Sequence, residues 1–196
     1  MTRRDILVLP LAIMGASVKG IPAMASADAI IDDLSGLRLR AANGAAWEMI
    51  SDRVMGGMSR GAMTRDTVRG RSSLRLKGSV SLENSGGFIQ MALDLAPRGR
   101  TIDARAWNGI EIDALGNGEQ YNLHLRTADV VRPWQSYRQV FTATPDWRSY
   151  RFPFGAFEPH RINAPLDLRT LRRIGLVAIG RAFDADLAIS GVRFFA

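Results

Sequence analysis

The side chains that this chain lacks limit the chemistry it could perform. It has no cysteine and only two histidines, His124 and His160, among its 196 residues. The missing thiols exclude a disulfide, a thiolate zinc site and a cysteine nucleophile. No cluster of carboxylates and histidines has the spacing of a metal site. We therefore predict no catalytic residues, no metal and no cofactor. A hydrolase built on Glu48, Asp52 and Glu83 is the weaker alternative.

Polar and aromatic residues follow one another around a predicted strand at 120–127. In this strand His124 and Arg126 alternate with apolar residues, so they share its polar face. Trp134, Tyr137 and Arg138 come next, on the following loop and strand. We expect these side chains to form an exposed patch that binds a sugar or a protein segment. The alternative is that Arg126 forms an internal ion pair and Trp134 packs in the core.

Two glycine-rich turns supply further candidates. The first spans residues 52–61, and its Gly56-Gly57 pair permits positive φ or a close backbone approach. Asp52 and Ser59 can bond free backbone amides there, either to close the sandwich or to grip a partner. The binding candidates in the two turns are Asp52, Arg53, Gly56, Gly57, Ser59 and Asn84. The second turn, residues 83–87, has too few carboxylates nearby to specify calcium, so hairpin geometry explains it better.

The elements that position these residues are short strands. Period-two alternation predicts strands at 72–81, 88–95, 109–115, 120–127, 137–143, 147–153, 173–179 and 187–195. One short helix is predicted at 166–171, and Gly116-Asn117-Gly118 predicts a tight hairpin. Strands at this spacing favour an all-β sandwich of two sheets over alternating strands and helices.

Four blocks of the sequence resemble the complex I intermediate-associated protein 30 family, in the family's order. The first block, residues 47–61, contains the pattern Trp…Asp-x-Val-Met-Gly-Gly-x-Ser, and the others are residues 78–88, 109–121 and 147–157. The resemblance implies a galactose-binding-like jelly roll of two antiparallel sheets, a fold shared with many carbohydrate-binding modules. It also implies a chaperone-like role in NADH dehydrogenase assembly.

Two functions are therefore expected. The first is a non-enzymatic assembly factor that binds protein partners, which the family resemblance implies are respiratory-complex subunits. The alternative is a carbohydrate-binding module for envelope or extracellular glycans. The formal net charge is +7, but basic and acidic residues are interspersed without a block of like charge, so we expect no nucleic-acid partner.

The first residues have the pattern of an export signal. Thr2-Arg3-Arg4 is a basic start, residues 6–18 are apolar, and Ala25-Ser26-Ala27 is a small-x-small cleavage site. The arginine pair also resembles the twin-arginine signal. We expect residues 1–27 to be removed and residues 28–196 to form one exported or periplasmic domain without a membrane span. A cytoplasmic or membrane-associated protein is the alternative, and it fits better with complex I, whose peripheral arm faces the bacterial cytoplasm.

Overall fold

Two antiparallel sheets face one another in this protein. The computed structural model describes residues 29–36 and 38–196, and the predicted export signal lies outside them. Within the described residues the sheets have six strands each. Strands of the first sheet are β1 (Ala29–Asp32), β3 (Arg60–Val68), β4 (Arg71–Val80), β6 (Gly109–Gly116), β9 (Arg148–Pro153) and β12 (Phe183–Phe195). Strands of the second sheet are β2 (Trp47–Ser51), β5 (Phe88–Asp94), β7 (Gln120–Thr127), β8 (Ser136–Thr142), β10 (Glu158–His160) and β11 (Leu171–Ile179).

Strand order separates neighbours in the chain. The first sheet runs β3-β4-β12-β6-β9, with β1 also on β12, and the second runs β10-β8-β7-β11-β5-β2. The predicted all-β sandwich of two antiparallel sheets is confirmed. Predicted strands that start at Ser72, Phe88, Gly109 and Gln120 match β4 to β7 within about a residue. The predicted helix at 166–171 is one 3-10 turn, Leu168–Thr170, capped by the Asp167 carboxylate, which accepts from Arg169 N.

Three strands before residue 70 were not predicted. Strand β3 forms an edge of the first sheet, and its residues 60–66 are exposed or half-buried. Because these residues show little alternation of apolar and polar types, the period-two pattern did not predict this strand. Strand β2 is also an edge strand, and its Trp47 is buried. Trp47 donates from Nε1 to the buried Asp32 carboxylate at 2.7 Å, which ties β2 to the end of β1.

The core lies between the inner faces of the sheets. On β7 the inward residues Tyr121, Leu123 and Leu125 are fully buried, whereas the residues between them are half-exposed. Leu74 and Leu76 of β4 are fully buried on the facing sheet. Burial of each such leucine contributes about 1.5–3 kcal/mol. Because the inner face of β7 is fixed in this way, its polar residues must lie on the outer face of the second sheet.

Candidate binding groove

The outer face of the second sheet changes character from one end of its strands to the other. At one end, Val177 of β11 lies between Gln90 of β5 and Asn122 of β7, and Ile179 lies opposite Phe88. At the other end, Arg173 of β11 pairs in register with Arg126 of β7. The face is therefore apolar at one end and cationic at the other.

Between these ends the sheet has small residues and a depression. Gly175 of β11 lies between Ala92 of β5 and His124 of β7. Because Gly175 has no side chain and Ala92 has only a methyl group, this row is low at β11 and β5. The depression is a groove of about 320 Å³. Two loops complete its lining, with Val54 and Met55 after β2 and residues 133–135 before β8.

Trp134 stands at this groove on a loop fastened by hydrogen bonds. Its side chain is 48% exposed. Arg126 donates from its two terminal nitrogens to the carbonyls of Arg132, at 3.1 Å, and Pro133, at 3.3 Å. Gln135 Oε1 accepts from the backbone amides of Val131 and Arg132. The predicted proximity of Arg126 and Trp134 is thus present, with Arg126 holding the loop that carries Trp134.

Two further arginines line the groove in different electrostatic settings. Arg173 is neutralised by Asp94, at 2.5 Å, and by Glu48, at 3.0 Å. Arg138 of β8 donates from Nε to Ser136 Oγ at 2.8 Å, and within residues 29–36 and 38–196 it forms no ion pair. Burial lowers the pKa of Arg138, and nearby Arg161 lowers it further.

His124 lies in the middle of these cations. It is opposite Arg138 in the β7–β8 register and two residues from Arg126. Its Nε2 atom is buried and has no hydrogen-bond partner. Burial, followed by the charges of Arg138, His160 and Arg126, lowers the pKa of His124 to about 3. The imidazole is therefore neutral at physiological pH and is not a cation of this groove.

The first glycine-rich turn is held by Asp52. The fully buried Asp52 carboxylate accepts from Ser59 N at 3.0 Å and from Ser59 Oγ at 2.5 Å. It also accepts from Gly87 N at 2.6 Å and from Phe88 N at 3.3 Å. The two glycine-rich turns therefore meet at one side chain. Burial opposes ionisation, but these hydrogen bonds outweigh it and lower the pKa of Asp52.

The glycines around Asp52 are needed for space or for conformation. A Cβ on Gly57 would lie 2.3 Å from Asp52 Cγ, and a Cβ on Gly86 would lie 2.4 Å from Asp52 Oδ2. Gly56 has open space but a φ of 87°, which side chains rarely adopt. These contacts support the interpretation that the turn closes the sandwich. Asp52, Gly57 and Ser59 are buried, so they shape the loop and are not accessible for direct contact with a ligand.

The remaining predicted site residues are divided between surface and core. Arg53, Gly56 and Asn84 are exposed on the two turns. The structure corrects the placement of Tyr137, which is 1% exposed and points inward. Its hydroxyl lies 3.0 Å from the carbonyl oxygens of Ala164 and Pro165. The physical reason is the β8 alternation, in which residues 136 and 138 face the groove and Tyr137 faces the core.

Several groove residues were not among the predicted site residues. They are Ile50, Val54, Met55, Phe88, Gln90, Ala92, Pro133, Gln135, Ser136, Arg173, Ile174, Gly175, Val177 and Ile179. Arg138, which the sequence placed in the patch with Trp134, does line the groove. For β11 the signal is weak, because residues 174–178 are buried on both faces and show no polar alternation.

Neither metal binding nor membrane crossing is indicated by the described part of the chain. Among residues 29–36 and 38–196, no three histidine, aspartate or glutamate side chains are grouped to hold a metal ion. No helix in those residues is long and apolar enough to cross a bilayer.

The sandwich and its groove define this chain as a galactose-binding-like β-sandwich domain. The chain belongs to the complex I intermediate-associated protein 30 family, whose profile matches residues 39–189. The matched range contains the Asp52 turn and every groove residue named above. The chain has no significant match among curated proteins.

Solved structures of similar fold include carbohydrate-binding modules. The family 11 module of the cellulase Lic26A-Cel5E of Clostridium thermocellum is 13% identical, with a TM-score of 0.68 over 86% of this chain and 94% of that one. The family 11 module in complex with a β-1,3-1,4-mixed-linked tetrasaccharide is 14% identical, with a TM-score of 0.67 over 86% and 95%. The family 30 module of the same organism is 21% identical, with a TM-score of 0.57 over 86% and 97%. At these identities the likeness concerns the fold alone.

Proposed function

We propose that this domain is a non-enzymatic interaction factor that binds a segment of a partner protein in the groove of the second sheet. The lining of the groove carries the proposal. Its apolar part is built mainly from aliphatic side chains such as Ile50, Val54 and Ile179, and guanidinium groups line the rest. Aliphatic pockets next to a few polar groups suit the side chains of a peptide. Membership of the family supports respiratory-complex subunits as the partner.

The carboxylates considered for hydrolysis are placed unfavourably. Asp52 is buried with its acceptors used, and Glu48 is paired with Arg173. Residues 57–61 also match the Gly-x-Ser-x-Gly pattern of esterases, although no helix follows Ser59. Ser59 is buried and donates to Asp52, whereas both histidines lie on the second sheet, on β7 and β10. These placements support a domain that binds without catalysis.

Site-specific photocrosslinking tests the proposal. The crosslinking residue p-benzoylphenylalanine replaces Val140, which is 60% exposed on β8 and belongs to the outer face of the second sheet. The matched control carries it at the exposed Thr64 of β3, on the first sheet. We expect a protein adduct from Val140 and none from Thr64. Equal labelling at the two positions, or no adduct at Val140, would reject protein binding at this groove.

Glycan binding is the second candidate, because the family 11 module of like fold was solved with a mixed-linked tetrasaccharide. Trp134 is the exposed aromatic ring that could stack on a sugar. Affinity electrophoresis in a β-1,3-1,4-glucan gel tests it. Retardation of the wild-type domain that is lost in Trp134→Ala would favour the glycan module over the interaction factor.

A further inference from the structure

We infer that the occupant of the groove is an extended acidic peptide, with one carboxylate held between Arg126 and Arg138 and apolar side chains directed toward Phe88 and Ile179. This inference rests on the proposed function and names the chemistry of the partner.

Two cations of the groove have no anionic partner. In the β7–β8 register His124 lies opposite Arg138, so Arg126 is a diagonal neighbour of Arg138. Diagonal residues of paired strands are about 7–8 Å apart, within reach of long side chains. Among residues 29–36 and 38–196, no carboxylate forms an ion pair with either guanidinium. Arg173 differs, because Asp94 and Glu48 already neutralise it.

The surroundings of the Arg126 and Arg138 guanidinium groups disfavour their positive charges. Burial lowers the pKa of Arg126, and the charges of Arg172 and Arg173 lower it further. The same two causes, burial and a neighbouring arginine, act on Arg138. A bound carboxylate would relieve both repulsions and form charge-assisted hydrogen bonds. Because their hydrogen bonds in the described residues go to uncharged oxygens, both cations favour an anionic ligand at this end.

His124 provides a second and independent observation. Its buried Nε2 is the one side-chain polar atom in the described residues that is buried without a partner. It belongs to the lining of the groove, in the same row as Arg138 and two residues along β7 from Arg126. Buried polar atoms are nearly always paired in folded proteins. An unpaired atom at this position points to a ligand that completes the groove.

The apolar end distinguishes a peptide from an acidic polysaccharide. Ile50, Phe88 and Ile179 line this end of the groove and offer partly exposed hydrocarbon surface. A uronate chain carries carboxylates and hydroxyls but no alkyl side chains for that surface. The row of Arg138, which contains Gly175, and the row of Ile179 are four residues apart along β11. An extended peptide directs alternate side chains to one side, so an acidic residue and an apolar residue four positions away, about 13 Å along the chain, can reach both ends.

A peptide-display experiment tests the inference. Random heptapeptides are selected on the wild-type domain and counter-selected on Gly175→Val, which fills the floor of the groove. The nearest atom to a Cβ at Gly175 is the flexible Gln90 Oε1 at 3.1 Å, so this variant should fold, and its melting temperature verifies that. We expect the enriched peptides to carry Asp or Glu four positions from an aliphatic residue.

Affinities of a selected peptide then locate the carboxylate. Replacing the peptide's Asp or Glu by Asn or Gln should weaken binding about tenfold or more, as should Arg138→Gln. The control Arg148→Gln changes an exposed arginine on β9 of the other sheet and should leave affinity unchanged. Raising the salt concentration should weaken binding of the acidic peptide only.

The outcomes separate this inference from the proposed function. Enrichment of neutral or basic peptides that require the open groove would overturn the acidic chemistry while protein binding stands. Binding of a galacturonate hexamer or of mixed-linked glucan, without any groove-dependent peptide, would overturn both.

Discussion

At the scale of single residues, Asp52 joins the two glycine-rich turns. Its partner Gly87 is 35 residues away in sequence, yet the carboxylate and the amide are 2.6 Å apart. The turn that Asp52 holds also carries Val54 and Met55 into the lining of the groove. One buried carboxylate therefore stabilises the sandwich and shapes the candidate site.

Asp52→Asn tests that role. The asparagine keeps the size of the side chain, but it removes the charge and brings an amide donor toward the donors of Ser59 and Gly87. We expect a loss of roughly 1.5–3 kcal/mol in the free energy of unfolding, measured in urea at neutral pH. As a control, Glu83→Gln changes an exposed carboxylate of the neighbouring turn and should have little effect.

The pH dependence of the same pair of proteins gives a signed check. Because the pKa of Asp52 is lowered below its ordinary value of 3.8, the ionised carboxylate stabilises the folded state at pH values above 3.8. That contribution is lost as the pH falls through the lower folded-state pKa. The stability difference between wild type and Asp52→Asn should shrink in that range, and a difference that grows on acidification would contradict the assignment.

At the scale of elements, the outer faces of the two sheets differ in how their arginines are paired. On the first sheet Arg193 of β12 pairs with Asp113 of β6 at 2.7 Å and also contacts Glu111, which Arg151 of β9 binds as well. These ion pairs link three adjacent strands and leave their charges neutralised. On the second sheet no carboxylate of residues 29–36 and 38–196 pairs with Arg126 or Arg138, which is why that face is the candidate for binding.

Arg193→Ala tests the linkage between β12, β6 and β9. The substitution removes the positive charge that pairs with the carboxylates of Glu111, which is 7% exposed, and of Asp113. We expect a loss of roughly 1–3 kcal/mol in the free energy of unfolding. This loss is smaller than that for breaking a fully buried ion pair, because Arg193 is partly exposed and solvent screens its charge. Arg148→Ala, on β9 without an ion pair in the described residues, is the control, and equal losses in both variants would contradict the linkage.

At the scale of the whole molecule, the N-terminal boundary of the mature domain can be tested by experiment. Strand β1 begins at Ala29 and contributes the buried Asp32, so cleavage after Ala27 would leave the sandwich intact. We propose that the chain is exported and that its mature form starts at Asp28. Cell fractionation with N-terminal sequencing checks this. Soluble cytoplasmic protein that retains Met1 would reject export, and cleavage beyond Asp32 would reject the boundary.

The compartment in which the protein is found also limits the partners that it can meet. An exported domain would meet segments of envelope proteins, whereas a retained one could meet the cytoplasmic arm of a respiratory complex. The crosslinked partner and the location of the mature chain are therefore informative together.

What the sequence determines by itself is the local alternation and the class of fold. The pattern of Tyr121, Leu123 and Leu125 against polar neighbours predicts which face of β7 is buried, because the period of a strand is a property of adjacent residues. The family pattern around Asp52 was also visible in the sequence. These features predicted the sandwich and placed His124, Arg126 and Trp134 at the site.

Only the tertiary structure decided which strands lie side by side. Arg173 and Arg126 are adjacent because β11 pairs with β7, and Gly175 opens the groove because it faces His124 across that pair. The inward direction of Tyr137 and the partners of Asp52 depend in the same way on contacts between distant segments. Strand order and register follow from the packing of the whole core, and neither is encoded in the residues next to a strand in the chain.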